Sequence, residues 1–486
     1  MLDIKLEPLE IKDTGTVKEV REGVVKVDGL SFCVNGQLVE FAPSLMGMVI
    51  GFNKKEVLVL VLGDETKINI GDTVYGETGI FEIPVGNNFL GRIINTFGQP
   101  LDGRGKISEN DMYPIFRDAP GVLDRKPITE TFHTGIKMID TTIPLGKGQR
   151  ELIMGDRVIG KTSIVTEAII NQKDKNVICV YCWIGGSHSA FVKILEELKR
   201  GGAMDYTIIV VASASDSPAE QYLVPYAACA AGEYFMDNGR DVLIAYDNLS
   251  RHAWSYREIS LLLERSPGRE AYPGDIFYIH SRLLERACKF SEKKGGGSLS
   301  AIPIAQTQGD DISAYIPTNL ISITDGQIIL DTNLFNQGIR PAVNIGLSVS
   351  RVGGAAQTKA IKKVAGTLKL ELAQYNELLA FAQFGSELDR ASQEALNRGR
   401  RAIEILKQPE YETYSFVDQA IFLFLLKENY LDDLEIDHVK DFSVKFASYV
   451  KGTMLSVYEH IFNTQDLDEQ TITKLKKAVE EFKVIS

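Results

Sequence analysis

The 486-residue chain carries no excess of positive charge: 53 Lys and Arg face 65 Asp and Glu, a formal net charge of −12. That balance argues against a broad electrostatic grip on nucleic acid or anionic lipid. Long apolar runs are also missing, and nothing approaches the ~18–20 residues needed to span a bilayer. The stretch "EVLVLVLG", Glu56 to Gly63, is too short and reads as a buried strand. The opening residues, "MLDIKLEPLEIKDTG", hold no apolar core behind a basic stretch and do not read as a signal peptide. Any membrane connection is therefore expected through partners, with no direct insertion. Cysteine is sparse and scattered: Cys33, Cys179, Cys182, Cys229 and Cys288. An odd, dispersed set suits a reducing, cytoplasmic compartment. Cys179 and Cys182 form a C-x-x-C inside the strand-like run "NVICVYCWIG". Positions three apart on a strand point to opposite faces, which argues against a redox or zinc role. The chain shows no internal repeat.

What is present is ordinary globular composition, 44% apolar and 24% charged. The length implies two or three cores. Residues 14–85 read as short strands punctuated by turns such as Asp28-Gly29 and Gly71-Asp72, predicting a small β-barrel over 1–85. From Pro100 to Pro127 the composition turns to Gly, Pro and Asp, as in a linker wrapping onto the next domain. From Leu152 apolar strands alternate with helical stretches, which predicts a parallel sheet covered on both faces within 86–365. "KKGGGS", Lys293 to Ser298, reads as a flexible loop within it. After Gly366 the periodicity is helical with charged outer faces, predicting a helical bundle over 366–486.

The chemistry begins at "GDRVIGKTS": Gly155, Asp156, Arg157, Val158, Ile159, Gly160, Lys161, Thr162 and Ser163. The spacing G-x-x-x-x-G-K-[ST] follows a strand and opens a helix, where a P-loop must sit. Its backbone N–H groups can cradle phosphates. Lys161 would reach the β- and γ-phosphates, and the Thr162 hydroxyl would bind Mg²⁺. A second carboxylate is expected after a later apolar strand, and "DVLIAYDN" supplies Asp247, placed to reach the metal through water. Alone, Asp247 would read as a helix cap. ATP or ADP with Mg²⁺ is the expected ligand.

Five long segments resemble the α-subunit family of F-type ATP synthases: "RELIMGDRVIGKTS", "SLLLERSPGREAYPGDIFYIHSRLLERA", "SAYIPTNLISITDGQI", "GIRPAVNIGLSVSRVGGAAQTK" and "LELAQYNELLAFAQFGSELD". The likeness runs from about residue 14 to at least Tyr411, and more loosely to the end. It implies a β-barrel, a RecA-like P-loop domain and a helical bundle. It also implies an alternating hexamer with a β-like subunit around a γ-like shaft, an ε-like subunit, and a cytoplasmic place at the inner face of the membrane. It assigns Arg340, Pro341 and Gln408 to the adenine end, and makes Arg351 in "LSVSRVGG" an arginine finger for the neighbouring catalytic site.

Hydrolysis needs a group that orients the attacking water. By the resemblance, catalytic β subunits place a glutamate after the strand that follows the P-loop helix, and α subunits a glutamine. This chain reads "YCWIGGSHS", with Gly186 there. Ser187 and His188 adjoin it but diverge on an extended segment, so a Ser–His pair is not expected; His188 bending toward the γ-phosphate is the residual alternative. The expectation is a site that holds nucleotide without turning it over. Further departures are Val158 and Glu410 for family glutamines and Gln306 for a family glutamate. The family's N-terminal helix for the δ stator subunit is also not legible before Thr14, which makes a standard δ contact doubtful. Absent helix and altered site together favour a second assembly, a paralogous motor head driving motility or a surface machine. An RNA-translocating hexamer of the Rho kind would need a basic, aromatic N-terminal domain, and the barrel region is neither.

Overall fold

The computed structural model describes residues 12–41, 45–53, 55–108, 111–383 and 389–485. The expected order of barrel, α/β domain and helical domain is present. Residues 1–11, on which the stator expectation turned, lie outside the described residues.

Six antiparallel strands close the barrel: β1 (Thr14–Arg21), β2 (Val24–Gly29), β3 (Gln37–Phe41), β4 (Leu45–Phe52), β5 (Val57–Leu62) and β6 (Thr73–Ile80), in the order β1-β2-β5-β4-β3-β6. The period-2 alternation of β5 explains its unbroken apolar run. Val57, Val59 and Val61 fill the barrel with Val25, Val39 and Val74. Leu58, Leu60 and Leu62 face outward into the core of the α/β domain. The run is buried on both sides because two domains share it. The next strand, β7 (Glu82–Val85), leaves the barrel and pairs with β9 (Asp111–Pro114), and the segment between them adds its own strand to the main sheet.

That sheet has eight strands: β8 (Ile93–Asn95), β12 (Leu152–Gly155), β13 (Val177–Gly186), β14 (Thr207–Ser213), β15 (Asp241–Asp247), β16 (Ser298–Gln306), β17 (Gly326–Ile329) and β18 (Val349–Ser350). The intervening β10 (Thr131–Phe132) and β11 (Leu145–Gly146) form a small pair of their own. The order is β18-β17-β12-β16-β15-β13-β14-β8. All neighbours are parallel except β17 and β18. The expected parallel sheet is thus corrected at one edge, where the two-residue β18 pairs antiparallel with β17. Along β13, Cys179, Tyr181 and Trp183 belong to one core face, whereas Ile178, Val180, Cys182 and Ile184 belong to the other. The C-x-x-C is split across the sheet.

The glycine run at 295–297 is a tight turn, not a slack loop. Phe290 N–H donates to Gly297 O (2.8 Å), and a Cβ on Gly297 would lie 2.1 Å from Met236 O. These glycines admit a close backbone approach.

Helices follow from Lys359, and Phe416–Lys427, "FVDQAIFLFLLK", is buried over most of its surface. Its neighbours share one continuous core with the P-loop face of the sheet. A buried carboxylate adds a polar tie: Asp140, in α1 (Lys137–Thr142), accepts from Thr134 N–H (2.9 Å) and from Gln419 Nε2 (2.9 Å). Among the described residues no helix is long and apolar enough to cross a membrane.

Candidate nucleotide site

Strand β12 lies between β16 and β17, so the loop it feeds opens at the C-terminal edge of the sheet, where phosphates bind in open α/β folds. The loop ends at Gly160, φ 100°, which caps α2 (Lys161–Ile170). Nothing would meet a Cβ at Gly160, so its glycine answers the left-handed backbone rather than crowding. Val158, φ 63° and 89% exposed, holds that conformation without being glycine. For a β-branched residue this stores about 1–3 kcal/mol of strain.

The loop's own groups meet one another. Lys161 Nζ donates to Gly155 O (2.7 Å) and to Asp156 O. Burial lowers the pKa of this lysine to about 8, opposed by the carboxylates of Asp247 and Asp156. Asp156 ties the loop to the segment after β16, accepting from Thr307 Oγ1 (2.6 Å), Gly309 N–H (2.9 Å) and Asp310 N–H (3.1 Å). The Thr162 hydroxyl donates to Asp247 Oδ2 (2.8 Å), joining the two metal candidates directly. Tyr181 OH donates to the same oxygen (2.8 Å). Burial raises the Asp247 pKa, and these two hydroxyls oppose it. Among the described residues no cluster of three or more His, Cys, Asp or Glu suits a metal. A hydroxyl and a carboxylate do fit Mg²⁺, which keeps waters and takes phosphate oxygens for its remaining positions.

Two residues near Asp247 were not anticipated. Tyr181 is two positions before Trp183 on a strand read only as apolar. Arg251, one helical turn after Asp247 in α5 (Leu249–Leu262), donates to Gly185 O and acts electrostatically on Asp247. The spacing "DNLSR" was the available signal.

Gly186, expected to lack a water-orienting group, also has no room for a side chain. A Cβ on Gly186 would lie 1.9 Å from Cζ2 of Trp183 and 2.3 Å from its Cε2. The indole, 6% exposed, fills the place from which residue 186 would extend a side chain. Ser187 caps α3 (His188–Arg200), accepting from Ala190 N–H, and His188 is exposed in its first turn. Neither is bonded to the P-loop among the described residues.

A narrow cleft, of only about 20 Å³, continues from Gly160 past Ser163, Glu167, Arg340 and Pro341 to Gln408 and Glu410. Of the expected residues, Ile159, Gly160, Ser163, Arg340, Pro341 and Gln408 line this cleft, and Asp247 joins the loop's helix through Thr162. Arg340 lies over the Phe335 ring, 4.5 Å from its centroid. Gln408 lines the cleft with its amide already engaged: Oε1 accepts from Lys137 N–H (3.0 Å), and Nε2 donates to Gly135 O (3.0 Å) and Glu412 O. Glu167, not anticipated, accepts from Tyr411 N–H (2.9 Å). Burial raises its pKa to about 7, with Glu410 adding to the shift. Gln306 ends β16 opposite Gly155, and its N–H donates to Ser250 Oγ (2.9 Å).

Arg351 stands elsewhere. It follows β18 at the sheet edge, its N–H donating to Asp325 O (2.8 Å) and its guanidinium to Ile321 O (3.2 Å), and the side chain is exposed. Among the described residues it makes no hydrogen bond to this chain's own loop.

Three family models match. "ATP synthase alpha/beta family, nucleotide-binding domain" covers 135–350, "ATP synthase alpha/beta family, beta-barrel domain" covers 11–77, and "ATP synthase alpha/beta chain, C terminal domain" covers 357–482. A Petrotoga mobilis protein named ATP synthase subunit alpha is 50% identical over 477 residues, covering 97% of this chain and 95% of its own. A Clostridium botulinum protein of the same name is 52% identical, covering 97% and 94%. One from Caldanaerobacter subterraneus is 50% identical, covering 98% and 94%.

Proposed function

The chain belongs to the ATP synthase alpha/beta family, and on that premise we propose that it is the nucleotide-holding, non-hydrolysing α-type subunit of an F-type complex. The observation that supports this is a contrast: Lys161 lies on its own loop's carbonyls and Thr162 donates to Asp247, the set we read as phosphate and metal ligands, while Trp183 fills the space a side chain at Gly186 would need.

In this reading the loop N–H groups and the α2 N-terminus hold the phosphates. Lys161 exchanges the Gly155 and Asp156 carbonyls for phosphate oxygens. The Thr162 hydroxyl and the Asp247 carboxylate would hold the metal. Bound Mg²⁺ supplies charge neutralisation across the phosphate oxygens. The cleft between Arg340, Pro341 and Glu410 takes the purine. Gln408, committed to backbone groups, shapes that end of the cleft instead of reading the base. Both Glu410 and a glutamine can accept from an adenine amino group, so the exchange is compatible with adenine.

Catalysis occurs next door, on a β-like partner. Arg351 crosses the interface and stabilises charge on the transferring phosphoryl group, a contribution of about 10³–10⁵ in rate in related NTPases. A γ-like shaft and an ε-like subunit complete the assembly, at the cytoplasmic face of a membrane reached through partners. About 50% identity along nearly the whole chain to proteins named ATP synthase subunit alpha makes a specialised motor head or an RNA translocase unnecessary. The test is a pair of measurements on the purified chain. Tight MgADP or MgATP binding with no phosphate release is expected; phosphate turnover abolished by Lys161→Ala would overturn the assignment.

A further inference from the structure

We propose that Gln149 and Glu151 are positioning residues for Arg351, fixing the strand end from which its guanidinium is presented to the neighbouring subunit. The inference rests on the reading of Arg351 as a finger in trans.

Strand β18 is too short to fix Arg351 by its ladder alone. It has two residues and meets only Gly326 and Gln327. Its anchor is the Ser350 hydroxyl, which donates to Pro144 O (2.8 Å) and accepts from Gly353 N–H (3.1 Å) and Gln149 Nε2 (3.2 Å). Gln149 is itself immobilised: it is buried, its Oε1 accepts from Gly146 N–H (2.8 Å), and its Nε2 also donates to Glu151 Oε2 (2.7 Å). Glu151 is fully buried, and its other oxygen, Oε1, has no hydrogen-bond partner among the described residues. The carboxyl lies directly beneath the finger strand's ladder. A Cβ on Gly326, the pairing partner of Ser350, would come 2.4 Å from Oε2 and 2.9 Å from Oε1.

The residue between them completes the clamp. Arg150 holds Asp325 through its N–H (3.0 Å), Nε (2.9 Å) and Nη2 (2.8 Å), and the Asp325 carbonyl takes the Arg351 N–H. Three consecutive residues, alternating in direction as a strand requires, therefore secure both Ser350 and Arg351. The same three lead into β12 and the P-loop.

A carboxyl buried on a single side-chain hydrogen bond is costly where packing alone is wanted, and an apolar residue of similar size would serve a packing role as well. The charged groups that act on Glu151 are Asp325, Lys369 and Arg351 itself. Its surroundings thus point to the finger, and the cost is explained if the geometry at Arg351 is what it maintains.

The experiment compares variants of this chain in the complex assembled with its catalytic partner, reading MgATP hydrolysis as kcat and KM. Ser350→Ala and Glu151→Ala are expected to lower kcat by about 10- to 100-fold, the range a misplacement near 1 Å can cause, with KM changed less than about two-fold. Glu151→Gln, which keeps an acceptor for Gln149, should fall less than Glu151→Ala. In an Arg351→Ala background the same changes should cost nothing further, because they act through the arginine. Wild-type kcat for both alanine variants beside an inactive Arg351→Ala would overturn the positioning role and leave the finger standing. So would loss of assembly, or an undiminished fall in the Arg351→Ala background. An active Arg351→Ala complex would instead overturn the finger reading on which this one depends.

Discussion

The P-loop follows β12 and the Arg351 segment follows the edge strand β18, with β17 between those strands, and the two are built in opposite ways. Around the P-loop three functional groups are bonded within the chain: lysine to its own loop carbonyls, threonine to Asp247, Asp156 to the segment beyond β16. Around Arg351 the bonds secure the base, and the guanidinium is left exposed. On the proposed reading the first region retains a ligand, which favours pre-arranged groups, and the second acts on another molecule, which favours a fixed root with an exposed guanidinium held only to Ile321 O.

The sharpest break of this contrast is Arg351→Ala. In the assembled complex kcat should fall by about 10³-fold or more, whereas MgADP affinity at this chain's own site should be unchanged. Equal losses in both would mean that the two regions are one site. A smaller effect concerns the inward region alone. Glu167 on α2 has its carboxyl raised to about 7 by burial. The folded state therefore holds a proton that the unfolded state releases near 4.5. Its stabilising contribution is complete below about pH 4.5 and is lost as pH rises through about 7, a span of about 3 kcal/mol. Urea midpoints between pH 5 and 8 should show that slope in the wild type and lose it in Glu167→Gln.

Lys161→Ala tests the converse of the arginine change. Affinity of the isolated chain for MgADP should fall about 10- to 100-fold, since one charge-assisted contact is removed. Thermal stability should change little, because the lysine's present partners are carbonyls of its own loop. An effect of comparable size is expected at Gly186. Glutamate there should cost about 1–3 kcal/mol by overpacking against Trp183, without phosphate release. Adding Trp183→Ala should make the second change less than additive, which calorimetry of the four chains would measure. Full additivity would separate the indole from the missing side chain.

Much of the site was legible because its mechanism is local. Gly160 needs a left-handed backbone, Lys161 and Thr162 open the helix, and Asp247 closes an apolar strand. Each is a demand of one short stretch, so spacing reveals it. Other features depended on partners far away in the chain. Gln408 looks free in "LKQPEY", yet its amide is consumed by groups near residue 135, some 270 positions earlier. The carboxyl of Glu167 and the hydroxyl of Tyr181 were hidden in runs read only for their apolar neighbours. "KKGGGS" read as slack because composition carries no information about Met236, whose carbonyl leaves no room for a Cβ on Gly297. The antiparallel β18 escaped for a related reason, since two residues carry no periodicity.

The sequence by itself determined the three-part architecture and the phosphate-holding loop. Barrel alternation, buried parallel strands, helical periodicity and the P-loop spacing are each encoded within a few residues, and each is enforced by backbone hydrogen bonding and burial. Only the tertiary structure decided that Trp183 takes the space a side chain at Gly186 would need, and that Gln149 and Glu151 stand beneath the strand carrying Arg351. Those facts belong to packing and to bonds between distant segments, where one position's meaning is set by whatever the fold brings against it.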